Sequence, residues 1–135
     1  MNVNLIIKKK IIVYYGGNIM NIIDKYFELS DLAGNNEESF LELVNLFSEN
    51  AVVQPIGHEA INGKKNITEF YKAFFKRNVI TKHVWKTEII NEIYEATWAV
   101  AVIRNTGEVA ALQGTDIAML DSDGYIVNLE VLMKN

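Results

Sequence analysis

Gly114-Thr115-Asp116-Ile117-Ala118-Met119-Leu120-Asp121-Ser122-Asp123-Gly124-Tyr125-Ile126-Val127 reads as a strand, a turn and the start of a second strand. Side chains alternate along a strand, so Leu112, Gly114, Asp116, Ala118 and Leu120 share one face. That face is apolar except for a single carboxylate, and it is expected to point into the interior. Asp121-Ser122-Asp123-Gly124 has the aspartates of a calcium loop. It lacks the later bidentate glutamate, however, and a hairpin turn accounts for it.

The neighbouring segments repeat the pattern. Thr81–Ile93, Glu95–Arg104 and Glu108–Leu120 read as strands, with Tyr125–Met133 closing the series. The turns between them are Asn91-Glu92, Asn105-Thr106-Gly107 and the stretch above, all built from residues that tolerate turn geometry. In the first strand Lys82, Lys86 and Glu88 face one way, and His83, Trp85, Thr87 and Ile89 the other. Apolar residues on the outward faces, with Val100, Val102, Ile117 and Met119 as candidates, suit a homodimer formed by sheet packing.

Helical spacing governs the part before these strands. Ile22, Ile23, Tyr26, Phe27 and Leu29 predict a helix that stops near Gly34. A second starts from about Asn36, with Asn35 or Asn36 as its cap, Glu37-Glu38 in its first turn and an apolar face of Phe40, Leu41, Val44 and Phe47. Ala51–Gln54 is a short strand stopped by Pro55. Asn66 is the expected cap of a third helix, whose stripe is Ile67, Phe70, Tyr71, Phe74 and Phe75. Helices first and hairpin-linked strands after them is an α+β order.

Residues 1–19 break from this plan, with two short apolar blocks split by Lys8-Lys9-Lys10, an order unlike a secretory signal. A short strand there suits the β-branched content. The codons for Gly16-Gly17 can read GGAGG just ahead of an ATG for Met20, as a bacterial ribosome-binding site does. The expectation is that residues 1–19 are an extension with a mis-assigned start, and that 20–135 form one domain. Peptides covering Leu5–Ile19 in the native protein would contradict it.

Composition removes several functional classes. A net charge of −4 leaves no basic stripe for nucleic acid. Without cysteine there is no disulfide framework and no thiolate chemistry, and two histidines are too few for a histidine-based metal site. No apolar run approaches the roughly 20 residues of a membrane span. The expected setting is the cytoplasm.

Three segments carry a resemblance: Leu46-Phe47-Ser48-Glu49-Asn50-Ala51-Val52-Val53, then Ile61-Asn62-Gly63-Lys64-Lys65-Asn66-Ile67-Thr68-Glu69-Phe70-Tyr71, then Gly114–Val127. Together, from Asn21 to Met133, the chain resembles the SnoaL-like branch of the NTF2-like superfamily. The resemblance implies a cystatin-like cone, in which three N-terminal helices pack on a curved, mostly antiparallel sheet around a pocket. Its best-understood relative, ketosteroid isomerase, works with an aspartate base and an oxyanion hole made of a tyrosine and a protonated aspartic acid. On that pattern Tyr26 matches the tyrosine and Asp116 the protonated acid. The base position falls at Gln54, which cannot accept a proton at neutral pH, so the isomerase mechanism itself does not carry over.

The expected site follows. Asp116 and Tyr26 polarise a carbonyl or hydroxyl, and His83 transfers protons because histidine ordinarily titrates near neutrality. Gln54, His58, Trp85 and Trp98 are the expected substrate contacts, with Arg104 and Gln113 as further polar liners if their strand faces turn inward. Three readings compete: a cofactor-independent isomerase, cyclase or dehydratase acting on an apolar small molecule, a non-catalytic binding pocket, or a dimerisation module.

Overall fold

The computed structural model describes the backbone of residues 11–15 and the whole of residues 20–134. The elements are β1 (Ile11–Tyr15), α1 (Ile22–Ala33), α2 (Glu37–Val44), β2 (Phe47–Gln54), β3 (Ile61–Asn62), α3 (Lys64–Arg77), β4 (Asn78–Ile90), β5 (Ile93–Arg104), β6 (Val109–Leu120) and β7 (Ile126–Met133). One seven-stranded sheet runs in the order β1-β4-β5-β6-β7-β2-β3. β2 lies parallel to β7, and every other neighbouring pair is antiparallel. Register shifts between Asn78 and Ile80, between Met119 and Leu120 and along β2 bend the strands. The three helices pack against the concave face, giving an α+β cone. The backbone of β1 pairs with Lys86–Ile90 of β4. The rest of the stretch bearing on an alternative start at Met20 lies outside the described residues.

Caps explain where the helices begin. Asn21 Oδ1 accepts from the backbone amides of Ile23 and Asp24, both at 2.9 Å, and Asn36 does the same for Ser39 at 2.9 Å. The third helix departs from expectation. Its N-cap is Gly63, whose φ of +89° suits glycine, and the helix begins at Lys64. Asn66 sits inside the first turn, where its Nδ2 donates to the Asn62 carbonyl at 2.9 Å. The sharp turn out of β3 sets the start, so the side chain at 66 has no cap to make.

Burial corrects two further expectations. On α2 the core residues are Leu43 and Val44, while Leu41 is exposed. β2 also starts earlier than expected, at Phe47, because that stretch pairs with Ile126 of β7. On β5 the residues facing the helices are Ala96, Trp98, Val100 and Val102, so Val100 and Val102 point inward. Of the four residues expected on the outer face, Met119 is exposed and Ile117 half-buried there. Phe27, Phe47, Ile23, Leu43, Ile67, Ile126 and Leu129 are fully buried between the helices and the sheet.

Candidate active site

α1 is fastened to β4 by side chains two helical turns apart. Asp24, Phe27 and Asp31 follow one another at helical spacing on the same face. Asp24 Oδ1 accepts from Trp85 Nε1 and Thr87 Oγ1, both at 2.8 Å. Phe27 stacks on Trp85 at 5.3 Å and meets the His83 ring at 5.2 Å. Asp31 accepts from the His83 backbone amide at 3.0 Å and lies 2.6 Å from its Nδ1. Thr81 Oγ1 donates to the Ser30 carbonyl at 3.0 Å. This ladder fixes the His83 ring: Asp31 holds Nδ1, leaving Nε2 as the ring atom that can exchange a proton.

Between α1, α3, the inner sheet face and the loop after β2 lies a cavity of about 350 Å³, a size that suits a small organic ligand. His83 lines it together with Tyr26, Tyr71, Trp98 and Asp116. Asp116 is 4% exposed, and its Oδ1 accepts from Trp98 Nε1 at 2.8 Å. Burial pushes this carboxyl up to about 7, against the pull of the indole N–H. Among the described residues no cation pairs with it, so below that pH the acid is mostly neutral and can donate a hydrogen bond. The Tyr26 and Tyr71 hydroxyls are 2.7 Å apart. Burial raises both phenols above their ordinary value, and the charge of Asp116 acts in the same direction on each. Two phenols joined by one hydrogen bond keep one O–H in reserve for a third partner.

Trp98 takes its place through a gap in the neighbouring strand. It stands opposite Gly114 on β6. A Cβ there would overlap the Leu132 carbonyl oxygen and come within 2.7 Å of Trp98 Cζ2. The missing side chain lets the indole lie across β6 and reach Asp116 two residues further on.

The other expected contacts fall in different places. His58 lines the cavity from the loop, edge-on to Phe70 at 6.0 Å, and its Nδ1 is 2.8 Å from the backbone oxygen of Glu59 rather than from the Glu59 carboxylate. Gln54 does not line the cavity: its Nε2 donates to the carbonyls of Pro55 at 3.2 Å and His58 at 2.6 Å, pinning that loop. Trp85 also lies outside the lining, occupied with Asp24 and Phe27. Arg104 lines the cavity, whereas Gln113 is exposed on the opposite face of β6. Four participants escape a reading of the sequence: Asp31, Tyr71, Asn78 and Arg77. Asp31 has a signal in its seven-residue spacing from Asp24, which puts two acids on the buried stripe of a helix. Tyr71 passes for plain core in its aromatic stripe. Among the described residues no group of three or more His, Asp or Glu stands where it could hold a metal ion, and no helix is long and apolar enough to cross a membrane.

Comparison with solved structures settles the relationship. An NTF2-like protein of unknown function from Exiguobacterium sp. 255-15 is 30% identical and superposes with a TM-score of 0.77 over 85% of this chain and 99% of that one. The chain belongs to the NTF2-like family. The fold is shared with a second structure, the epoxide hydrolase/cyclase-like enzyme SalBIII, described in connection with pyran ring formation in the polyether salinomycin. It is 16% identical, with a TM-score of 0.71 over 84% of this chain and 88% of that one. No protein-family model and no curated protein sequence matches the chain. In this NTF2-like cone Tyr26, His83 and Asp116 all line the cavity between the helices and the sheet.

Proposed function

We propose that this NTF2-like protein is a cofactor-independent acid–base enzyme, of the isomerase, cyclase or dehydratase type, acting on a small apolar molecule with a carbonyl or hydroxyl group. The observation that carries the reading is that His83, held at Nδ1 by Asp31, and the buried Asp116 line one cavity. A catalytic base is absent at Gln54, and His83 supplies one from the neighbouring wall. In the neutral tautomer that donates Nδ1–H to Asp31, Nε2 accepts a proton from the substrate, and the Asp31 carboxylate stabilises the imidazolium that forms.

Charge then develops on the substrate oxygen. The Asp116 carboxylic acid and the spare O–H of the Tyr26–Tyr71 pair are donors suited to that oxygen, in a site walled by Phe27, Phe74, Val100 and Val102. For a ketone, the proton moves from the α-carbon to Nε2, leaving an enolate. From a β,γ-unsaturated ketone this is a dienolate, and return of the proton to the γ-carbon gives the conjugated isomer. From a β-hydroxy ketone the enolate collapses to a carbon–carbon double bond as the β-carbon–oxygen bond breaks, and the proton delivered to the departing hydroxyl gives water. SalBIII, an epoxide hydrolase/cyclase-like enzyme on the same fold, supports the reaction type by analogy of architecture.

The test needs no knowledge of the natural substrate. 2-Decalone is incubated with the protein in D2O and α-proton exchange is followed by NMR. The wild type is expected to accelerate exchange at least about 100-fold over His83→Gln, within the usual range for general base catalysis. Equal rates, with the ketone still bound, would replace this reading by the non-catalytic pocket.

The outer sheet face favours a second, compatible proposal: a homodimer. Val84 and Val109 are 71% and 70% exposed there, with Met119 and Leu132 also open to solvent. Ala99, Ala101 and Ala111 lie between them in register, so a second sheet can approach closely.

A further inference from the structure

The cavity has a second polar end. The inner face of β5 presents Trp98, Val100, Val102 and Arg104 in succession, all four of them in the cavity wall. Trp98 carries the hydrogen bond to Asp116, the two valines are apolar, and Arg104 is a cation. The six steps from Trp98 to Arg104 cover about 20 Å of extended strand. Arg104 pairs in register with Asn78, and Asn78 follows Arg77, the last residue of α3. The Arg104 side chain donates an Nη1 hydrogen to Asn78 Oδ1 and its Nε–H to Glu108 Oε1, both at 2.9 Å. The Asn105 amide donates to the Arg77 carbonyl at 2.8 Å, which holds the end of α3 against the β5–β6 turn.

Arg77 also lines the cavity, is exposed, and forms no ion pair among the described residues. Among the described residues this end of the cavity therefore has two guanidiniums, one of them paired with Glu108, which leaves one positive charge uncompensated. Arg104 keeps its Nη2 hydrogens free for a further acceptor, and Arg77 keeps its whole fork.

From this arrangement we infer that the ligand is an elongated apolar monocarboxylate. Its carboxylate is bound at the rim by Arg77 and Arg104, its apolar body lies along Val100, Val102 and Phe74, and its reacting oxygen reaches Asp116. One net positive charge matches one carboxylate, and a dianionic phosphate would be left undercompensated. The inference rests on the acid–base reading of the same cavity and adds the substrate class to it.

Calorimetric titration with decanoate, 1-decanol and decyl phosphate tests it. Decanoate is expected to bind the wild type at least about tenfold more tightly than decanol, and more tightly than decyl phosphate. Arg77→Gln, at an exposed position, is expected to bring the decanoate preference below about threefold while decanol binding stays unchanged. Arg104→Gln is expected to act in the same direction. The inference is overturned by equal binding of decanoate and decanol to the wild type, by a preference that survives both substitutions, by tighter binding of decyl phosphate, or by binding of none of the three. Failure here with His83-dependent exchange of 2-decalone intact would remove the carboxylate and leave the acid–base reading standing. Loss of that exchange with the decanoate preference intact would do the reverse.

Discussion

In the proposed site, Asp116 is the one carboxyl group that the fold holds buried in the cavity wall. An ordinary aspartate titrates near 3.8, and burial brings this one to about 7. Between those values the folded chain holds a proton that the unfolded chain releases. Stability contributed by the group is therefore complete at low pH and is lost as pH rises through this window. Asp116→Asn keeps the shape and removes the titration. Urea denaturation at about pH 5 and about pH 8 should show the wild type losing roughly 2 kcal/mol more than the variant. Parallel curves for the two proteins would mean that the acid is already ionised in the fold. Asp116 is legible in the sequence because it is the single charge on an otherwise apolar strand face. Asp31 is not, since its partner His83 lies 52 positions away and a carboxylate on a helix ordinarily faces solvent.

The elements were readable wherever hairpin turns or helix caps mark their ends. Asn91-Glu92, with positive φ at both residues, turns between β4 and β5 where turn chemistry predicts it, and Asn36 caps α2 as expected. Faces were harder to assign on β5. Ala99 and Ala101 on one side and Val100 and Val102 on the other are all apolar, so alternation gives no sign of which set is buried. Packing of α1 and α3 decides it, and that is a tertiary effect. The α1–β4 ladder and the β5–β6 register then place His83 and Trp98 to within a fixed geometry. Gly114 is the element-level weak point, because β6 must stay bare opposite Trp98. Gly114→Ala should destabilise the fold by about 3 kcal/mol, through overlap with the Leu132 carbonyl and displacement of the indole. Denaturation compared with Trp98→Phe/Gly114→Ala checks this: the smaller ring at 98 should recover part of the loss, and no recovery would put the strain on the backbone contact alone.

The whole molecule combines a cavity on the concave face of the sheet with an apolar convex face. These two faces answer different questions, and a change on one should spare the other. Ala101 lies on the convex face between Lys82 and Ala111. Sedimentation velocity at micromolar concentration should show a dimer for the wild type and a monomer for Ala101→Glu, with 2-decalone exchange retained in both. A wild-type monomer, or an unaffected variant, would place the association elsewhere or remove it. The central claim concerns the concave side, where Asp31–His83, Asp116 and the tyrosine pair act on one bound molecule. A crystal structure of the protein soaked with 2-decalone tests it most directly. The account predicts the carbonyl oxygen within hydrogen-bond distance of Asp116 and the Tyr26–Tyr71 pair, with an α-carbon facing His83 Nε2. A ketone bound with its oxygen turned away from Asp116, or seated anywhere but in this cavity, would contradict it.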